Sequence, residues 1–464
     1  MAKKASGGSR QAEMFARSKR PTIPIEENHR LVVMTEAIDW TELLELVENV
    51  RLSKVKNAAG RPPHLRAMVG GLLLKATRDM TLREAEDLIR HYAPARYLCG
   101  LTETEWSPDF RTLHDFETLM GEDGVRLVNE FTVRMAVAQK LADPSVVVGD
   151  TTAQEAAIPY PNEMRLMAAF MTSLASATKR AGKSLGDFAR QGATEFAAAA
   201  KKVRQYRLFA KTKEARLKMM AEMMRILAAT QRKLKRAVAL GTSAAGRLHR
   251  YGKVAQAKAV RLHEMMSALL PQIAYWHRTG FVAANKIISI HMPELYSIVR
   301  GKVGKAVEFG LNWGVTRLRG GFLLATLAKD RRELVDVRFA VRAVDDCIEL
   351  FGKAPRAYAY DRAGHSAQNI ATLKSRGVKE VGLAPRGSTA WSVSAKVRDE
   401  LVRERAMVEG GIGTIKCRRY GFNKPRARSA RMMGYHGQRA VLGFNMNKLV
   451  RGLVERREEV LVGH

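Results

Sequence analysis

Asp150, Asp361 and Glu409 are the side chains in this sequence whose type, order and local context suit phosphodiester chemistry. Asp150 closes the apolar run Ser145-Val146-Val147-Val148-Gly149, which reads as a short buried strand. Asp361 ends a second strand pattern, Ala357-Tyr358-Ala359-Tyr360, and Glu409 lies in Arg405-Ala406-Met407-Val408-Glu409, the start or middle of a helix. Breaking a phosphodiester needs a strong nucleophile and neutralisation of the leaving oxyanion, and two divalent ions about 4 Å apart supply both. Mg²⁺ prefers carboxylate oxygens, keeps several waters and needs few protein ligands, so three acids suffice; Mn²⁺ is the expected substitute. Taken singly, an Asp at a strand end is a turn or cap residue. It is the ordered set that points to a two-ion site.

The elements that must position these acids follow from composition and periodicity. The 464 residues hold 79 Lys/Arg against 46 Asp/Glu, a formal charge of +33, and a pI near 10.4. Such an excess favours a polyanionic partner, and with no run of roughly 18 apolar residues to span a membrane, nucleic acid is the expected one. Residues 1–25 read as a disordered basic arm without the apolar core of a secretory signal. Cys99, Cys347 and Cys417 show no metal or disulfide spacing, which fits a reducing cytoplasm.

Residues 26–140 read as an all-helical, DNA-binding N-terminal domain. Thr81 and Glu84 form a capping-box pattern, and the helices on either side of Asp79-Met80-Thr81 are either a helix-turn-helix or an ordinary helical hairpin. Strand patterns start at residues 141–165 and resume after 300. A hairpin is expected from Ala306–Leu311 and Gly321–Thr326, then a helix over Val341–Phe351, a helix over Ser366–Ser375 and a strand at Glu380–Leu383. Residues 141–165 and 281–425 would then form an α/β catalytic core, a mixed sheet flanked by helices, and 426–464 a C-terminal helical segment. Between the two halves, residues 165–280 carry 24 Lys/Arg against 5 Asp/Glu. Ala197–Leu240 reads as one long helix and a second runs to about Trp276, a basic helical insertion that either contacts DNA or faces solvent.

With those elements in hand, the chain resembles the bacterial insertion-sequence DDE transposases that have an InsH-like N-terminal domain, and most closely the ISNCY type. The resemblance covers most of residues 60–450. It rests on Gly149-Asp150-Thr151-Thr152, Ile158-Pro159-Tyr160-Pro161, Gly301-Lys302, Glu308-Phe309-Gly310, Tyr360-Asp361-Arg362-Ala363-Gly364 and Pro108-Asp109-Phe110-Arg111-Thr112-Leu113. Around the third acid, such enzymes space Tyr, Arg, Glu and Lys/Arg by two, three and six residues. Arg405, Glu409 and Lys416 meet the last three terms, and Val402 stands where the tyrosine would be.

The resemblance implies an RNase H-like core in which Asp150 bridges two Mg²⁺ ions, Asp361 shares one and Glu409 completes the other. It implies that Arg405 and Lys416 hold the DNA end, and the basic stretch that follows, beginning with Arg418 and Arg419, adds phosphate contacts. Tyr420 and Phe422, interleaved there, either stack on a flipped base or pack against the sheet. Terminal inverted repeats and target DNA would be the substrates, and pairing two ends calls for at least a dimer. With 211 positions between the aspartates and 48 between Asp361 and Glu409, any insertion falls in the first gap. Competing readings are an RNase H-like nuclease without strand transfer and a DNA-binding protein that has lost catalysis. His436 and Arg439 match the HxxR of tyrosine recombinases, but no tyrosine follows residue 435 to act as nucleophile. Phosphate-loop and HExxH motifs are absent.

Overall fold

The computed structural model describes residues 25–55, 64–185, 201, 205, 210–243, 250–302, 305–328, 333, 335–385, 387 and 390–462. The basic arm expected at residues 1–25 lies, but for its last residue, outside them. Everything described before residue 143 is helix or connection: α1 (Arg30–Ala37), α2 (Trp40–Lys54), α3 (Leu65–Arg78), α4 (Leu82–His91), α5 (Ala93–Leu98) and α6 (Phe110–Ala138). Local chemistry sets these boundaries. Asp79 ends α3 in the left-handed region (φ 47°), and Thr81 and Glu84 cap α4 reciprocally, as their spacing predicts. Asp109 caps α6 by accepting from the Thr112 N–H at 2.7 Å.

The sheet is mixed and six-stranded: β1 (Asp143–Glu155), β2 (Tyr296–Lys302), β3 (Lys305–Arg319), β4 (Leu323–Leu327), β5 (Ala357–Tyr360) and β6 (Glu380–Leu383). The order is β2-β3-β1-β5-β6, with β2 and β4 pairing successive stretches of the same edge of β3. β3 runs opposite to the other five strands. A hairpin is therefore present, but its first half is Trp313–Arg317, which pairs with β4, whereas the expected segment Ala306–Leu311 lies beside β2. β3 continues through Asn312–Arg319, because β1 on one side and β4 on the other satisfy its backbone.

Each face of the sheet is covered by helices. On one face Val147, Leu318, Tyr358 and Tyr360 pack with Phe339, Ala343 and Val344 of α10 (Asp336–Phe351). Gly314 allows this contact, since a Cβ there would lie 2.0 Å from the Phe339 ring. On the other face Val146, Val148, Trp313, Val315, Ala357 and Ala359 pack with Leu401, Val408, Ile412 and Ile415 of α12 (Ala395–Lys416). The short helix α11 (Ala367–Ser375) starts at the Ser366 cap. Tyr420 and Phe422 are buried in the α12 layer, with Phe422 edge-on to Trp313, which decides for packing rather than base stacking.

The last helix, α13 (Ala430–Val462), packs along α6 and α3. One hydrophobic cluster consequently runs from the N-terminal helices into the sheet. The joint with β4 is polar and satisfied: Asn445 donates to Asn129 Oδ1 at 2.7 Å and accepts from the Leu323 N–H at 2.9 Å, while Asn129 donates to the Leu323 carbonyl at 3.2 Å. These bonds occupy backbone groups that an edge strand would otherwise leave open.

His436 and Arg439 lie inside the same joint and form no catalytic pair. Arg439 binds Asp79 at 2.6 Å, beside the buried Lys75–Glu117 pair at 2.7 Å. Burial, with Arg439 and Lys75 adding to it, pushes the His436 imidazole down to about 3. Such a histidine is neutral when folded and protonates when unfolded, so stability falls as pH drops below about 6.5 and levels off only near 3. About 2 kcal/mol is expected to be lost between pH 6.5 and 5. Thermal melts of His436→Gln across that range should show a shallower decline than wild type; parallel curves would assign the acid sensitivity elsewhere.

Among the described residues the insertion holds three long helices rather than a hairpin alone: α7 (Glu163–Leu185), α8 (Lys213–Ser243) and α9 (Arg250–Thr279). Their core is rich in methionine, including Met164, Met167, Met171, Met220, Met223 and Met266. α8 begins at Lys213, since Ala210–Thr212 are not helical, and it runs through Gly241-Thr242-Ser243 instead of stopping there. Most of 197–209 lies outside the described residues. No helix among the described residues is long and apolar enough to cross a membrane.

Candidate active site

Asp150 does not end its strand. β1 continues to Glu155 because its partner on that side, β3, is long enough to pair with it throughout. What ends near Asp150 is the parallel pairing with β5, where Val146 faces Ala357 and Val148 faces Ala359. Carried two residues further, that register sets Asp150 beside Asp361. Side chains alternate along a strand, so both carboxylates project from the face that carries Val146, Val148, Ala357 and Ala359, the α12 face.

Electrostatics agrees with this juxtaposition. The Tyr358 and Tyr360 hydroxyls are pushed well above the usual range, first by burial and then by nearby negative charge, to which Asp150 and Asp361 contribute in both cases. Gly149 makes room beneath the pair, since a Cβ there would meet the Tyr358 hydroxyl at 2.4 Å. Each carboxylate also holds its own backbone. Asp150 accepts from the Thr151 N–H at 2.7 Å, and Asp361 caps the 3₁₀ turn Arg362–Gly364 by accepting from the Ala363 N–H at 2.9 Å.

Glu409 is on α12, exposed, one position beyond the buried Val408. The orientation of that helix is set by ions on its other flank. Glu404 binds Arg317 at 2.5 Å and Arg319 at 3.0 Å, Glu400 pairs with Arg319, and Met407 Sδ accepts from Arg317 at 3.6 Å. Arg317 faces Val148, and Arg319 lies nearer the start of β1. The flank with Glu400, Glu404 and Met407 therefore points to the start of β1. At 100° per residue, Arg405, Glu409 and Lys416 share the opposite flank, on the side of Asp150 and Asp361. Arg405 and Lys416 are half-buried, whereas Arg418 and Arg419 are exposed past the end of α12. Among the described residues no three His, Cys, Asp or Glu side chains stand close enough to hold one metal ion. The fold thus brings the two aspartates together and leaves Glu409 on the adjoining helix.

Residues 21–119 match the family model of a transposase domain (DUF772). The match spans α1 to α5 and the first third of α6, takes in Pro108-Asp109-Phe110-Arg111-Thr112-Leu113, and ends before β1. No curated protein and no solved structure matches this chain.

One residue of this region carries no motif. Asp336, the first residue of α10, accepts from the Thr151 hydroxyl at 2.7 Å and from the Tyr360 hydroxyl at 3.1 Å. Thr151 and Tyr360 immediately follow Asp150 and precede Asp361, so Asp336 ties the two strands together beside the aspartates from the far face of the sheet. Only the apposition of α10 and the sheet reveals it. The donor set suits a hard divalent ion: two half-buried carboxylates on one face of the sheet offer oxygen ligands, and Mg²⁺ is commonly held by one or two carboxylates with waters completing its shell.

Proposed function

We propose that the protein is a DDE-type DNA transposase of the bacterial insertion-sequence kind, built on an RNase H-like core. The observation that carries the reading is the shared face of Asp150 and Asp361 where the parallel pairing of β1 and β5 stops, flanked by a helix bearing Arg405, Glu409 and Lys416. The transposase-domain match at residues 21–119 supports it from a separate part of the chain.

Asp150 and Asp361 would hold Mg²⁺, with Glu409 as the third carboxylate, and the bound ions would activate the attacking oxygen and neutralise the leaving one. The chain's own side chains do the positioning. Arg405 and Lys416, on the flank of Glu409, hold the phosphates of a DNA end, and Arg418 and Arg419 extend that contact. Asp336 and Gly149 fix β1 and β5 beside the two aspartates, and the Arg317–Glu404 pair fixes the rotation of α12. The substrates are terminal inverted repeats, cut to expose 3′-hydroxyls that then attack target DNA. Two ends must be paired, so the active form is at least a dimer.

The test is mobility of the gene with its native flanking DNA, scored by sequencing new junctions, beside Glu409→Gln. Glu409→Gln is expected to bind DNA as wild type does and to give no junctions. Wild-type junction frequency in that variant would overturn the site. Cleaved ends without junctions in the wild type would favour a nuclease without strand transfer.

A further inference from the structure

Four exposed arginines from four separate segments converge around one buried asparagine where α1, α3 and α13 meet. Asn447, 8% exposed, donates to the Thr77 carbonyl at 3.0 Å and accepts from Arg30 at 3.2 Å. Arg78 follows Thr77 at the end of α3, and Arg451 lies one turn along α13 from Asn447. The turn after α12 supplies the fourth. Gly421 is seated against Asp79, where a Cβ would be 2.9 Å from Oδ1, and Tyr420 packs edge-on against Phe444 at 6.0 Å. The Arg419 guanidinium lies 5.7 Å from the Tyr420 ring. Arg30 registers this crowding: its pKa is lowered first by burial, then by Arg419, Arg451 and Arg78.

Among the described residues none of the four forms an ion pair, and Asp79, the carboxylate beside them, is taken by Arg439 at 2.6 Å. Lys448, one turn before Arg451, extends the positive strip. A concentration of like charge this compact repels itself and is relieved by an anion. Guanidinium forks match phosphate oxygens in pairs. Among the described residues the exposed large apolar side chains belong to other segments, so none of them gives this strip the apolar insertion that helps anchor a peripheral protein on a membrane.

We propose that Arg30, Arg78, Arg419 and Arg451 form a docking site for the phosphate backbone of double-stranded DNA, apart from the carboxylate pair. The inference rests on the transposase reading for its choice of polyanion. The site joins α1 and α3, inside the segment matched as a transposase domain, to the turn and helix that follow α12. One stretch of duplex bound there would therefore bridge the N-terminal helices and the catalytic half. Phosphate contacts fix position and leave base reading to other residues.

The test is the salt dependence of binding to a short random-sequence duplex, by fluorescence anisotropy, for wild type and Arg78→Gln/Arg451→Gln. Both positions are exposed and carry no ion pair, and melting curves confirm that the variant folds. Each lost phosphate contact lowers the slope of log K against log salt by about 0.9, so the double variant should lose nearly 2 in slope. Lys374→Gln/Lys379→Gln removes equal charge from exposed positions around the end of α11 and should leave the slope unchanged. Equal slopes for wild type and the arginine variant, or an equal loss in the lysine control, overturn the proposal. So does a wild type that ignores the duplex but binds phosphatidylserine vesicles. Failure of the catalytic reading looks different: the slope difference persists, but no Mg²⁺-dependent cleavage is seen in any protein.

Discussion

Replacing Asp150 with Asn is expected to lower Mg²⁺-dependent DNA cleavage on the order of 10³-fold or more while leaving DNA affinity and melting temperature near wild type. Charge stabilisation by bound ions contributes several kcal/mol to such a transition state, and each 1.36 kcal/mol is tenfold in rate. The amide oxygen can still accept the Thr151 N–H that Asp150 accepts now at 2.7 Å, so the strand has no reason to move. Asp361→Asn should behave alike, because asparagine caps as well as aspartate and can keep the bond from Ala363. Single-turnover cleavage of a DNA substrate carrying the element end, with melting curves on the same preparations, checks this. Wild-type rates in either variant would show that the two aspartates are structural and that the chemistry lies elsewhere.

The second large effect concerns stability. Glu404 and Arg317 form a pair with side chains 10% and 8% exposed, and Glu404 also binds Arg319. Glu404→Ala leaves a buried guanidinium without its partner, which costs about 3–5 kcal/mol. Denaturant unfolding should show that loss. In a chain this long, the part that unfolds first should be the α12 layer. Cleavage should fall as well, because the pair sets which flank of α12 faces Asp150 and Asp361. Converting both partners to apolar residues of similar size should recover much of the stability, since a packed apolar pair can replace a buried ion pair at little cost, but not the activity if the helix turns. A Glu404→Ala protein as stable as wild type would mean that Arg317 finds another partner.

Features governed by contacts within a few residues were legible in the sequence. The Thr81/Glu84 capping box, the helix over Ser366–Ser375 (with Ser366 as its cap), the helix end at Phe351 and the strand Glu380–Leu383 all occur where spacing predicts. The types and order of the three acids were equally visible, as was the charge excess. The apolar pattern gives a hairpin but joins the wrong stretch of β3 to β4, and periodicity gives two helices in the insertion where the described residues hold three, because a strand or helix extends as far as distant partners support it.

What only the tertiary structure decided is the meeting of residues far apart in the chain. That Asp150 and Asp361 stand side by side depends on the register of a parallel pair separated by 211 positions, and no local hydrogen bond specifies it. That Glu409 shares their side of the sheet depends on the grip of Glu404 on Arg317. Asp336 and the arginines around Asn447 carry no motif, because each acts through neighbours supplied by other elements. The burial of Tyr420 and Phe422 was settled in the same way. Interleaving with basic residues is a one-dimensional pattern that fits both a base-stacking surface and a sheet-covering turn, and only the position of Trp313 and Phe444 chooses between them. By itself the sequence determined which chemistry was on offer and where the local elements begin. Long-range packing determined which of those residues could act together, because non-local pairing is fixed by the whole core and not by any segment of it.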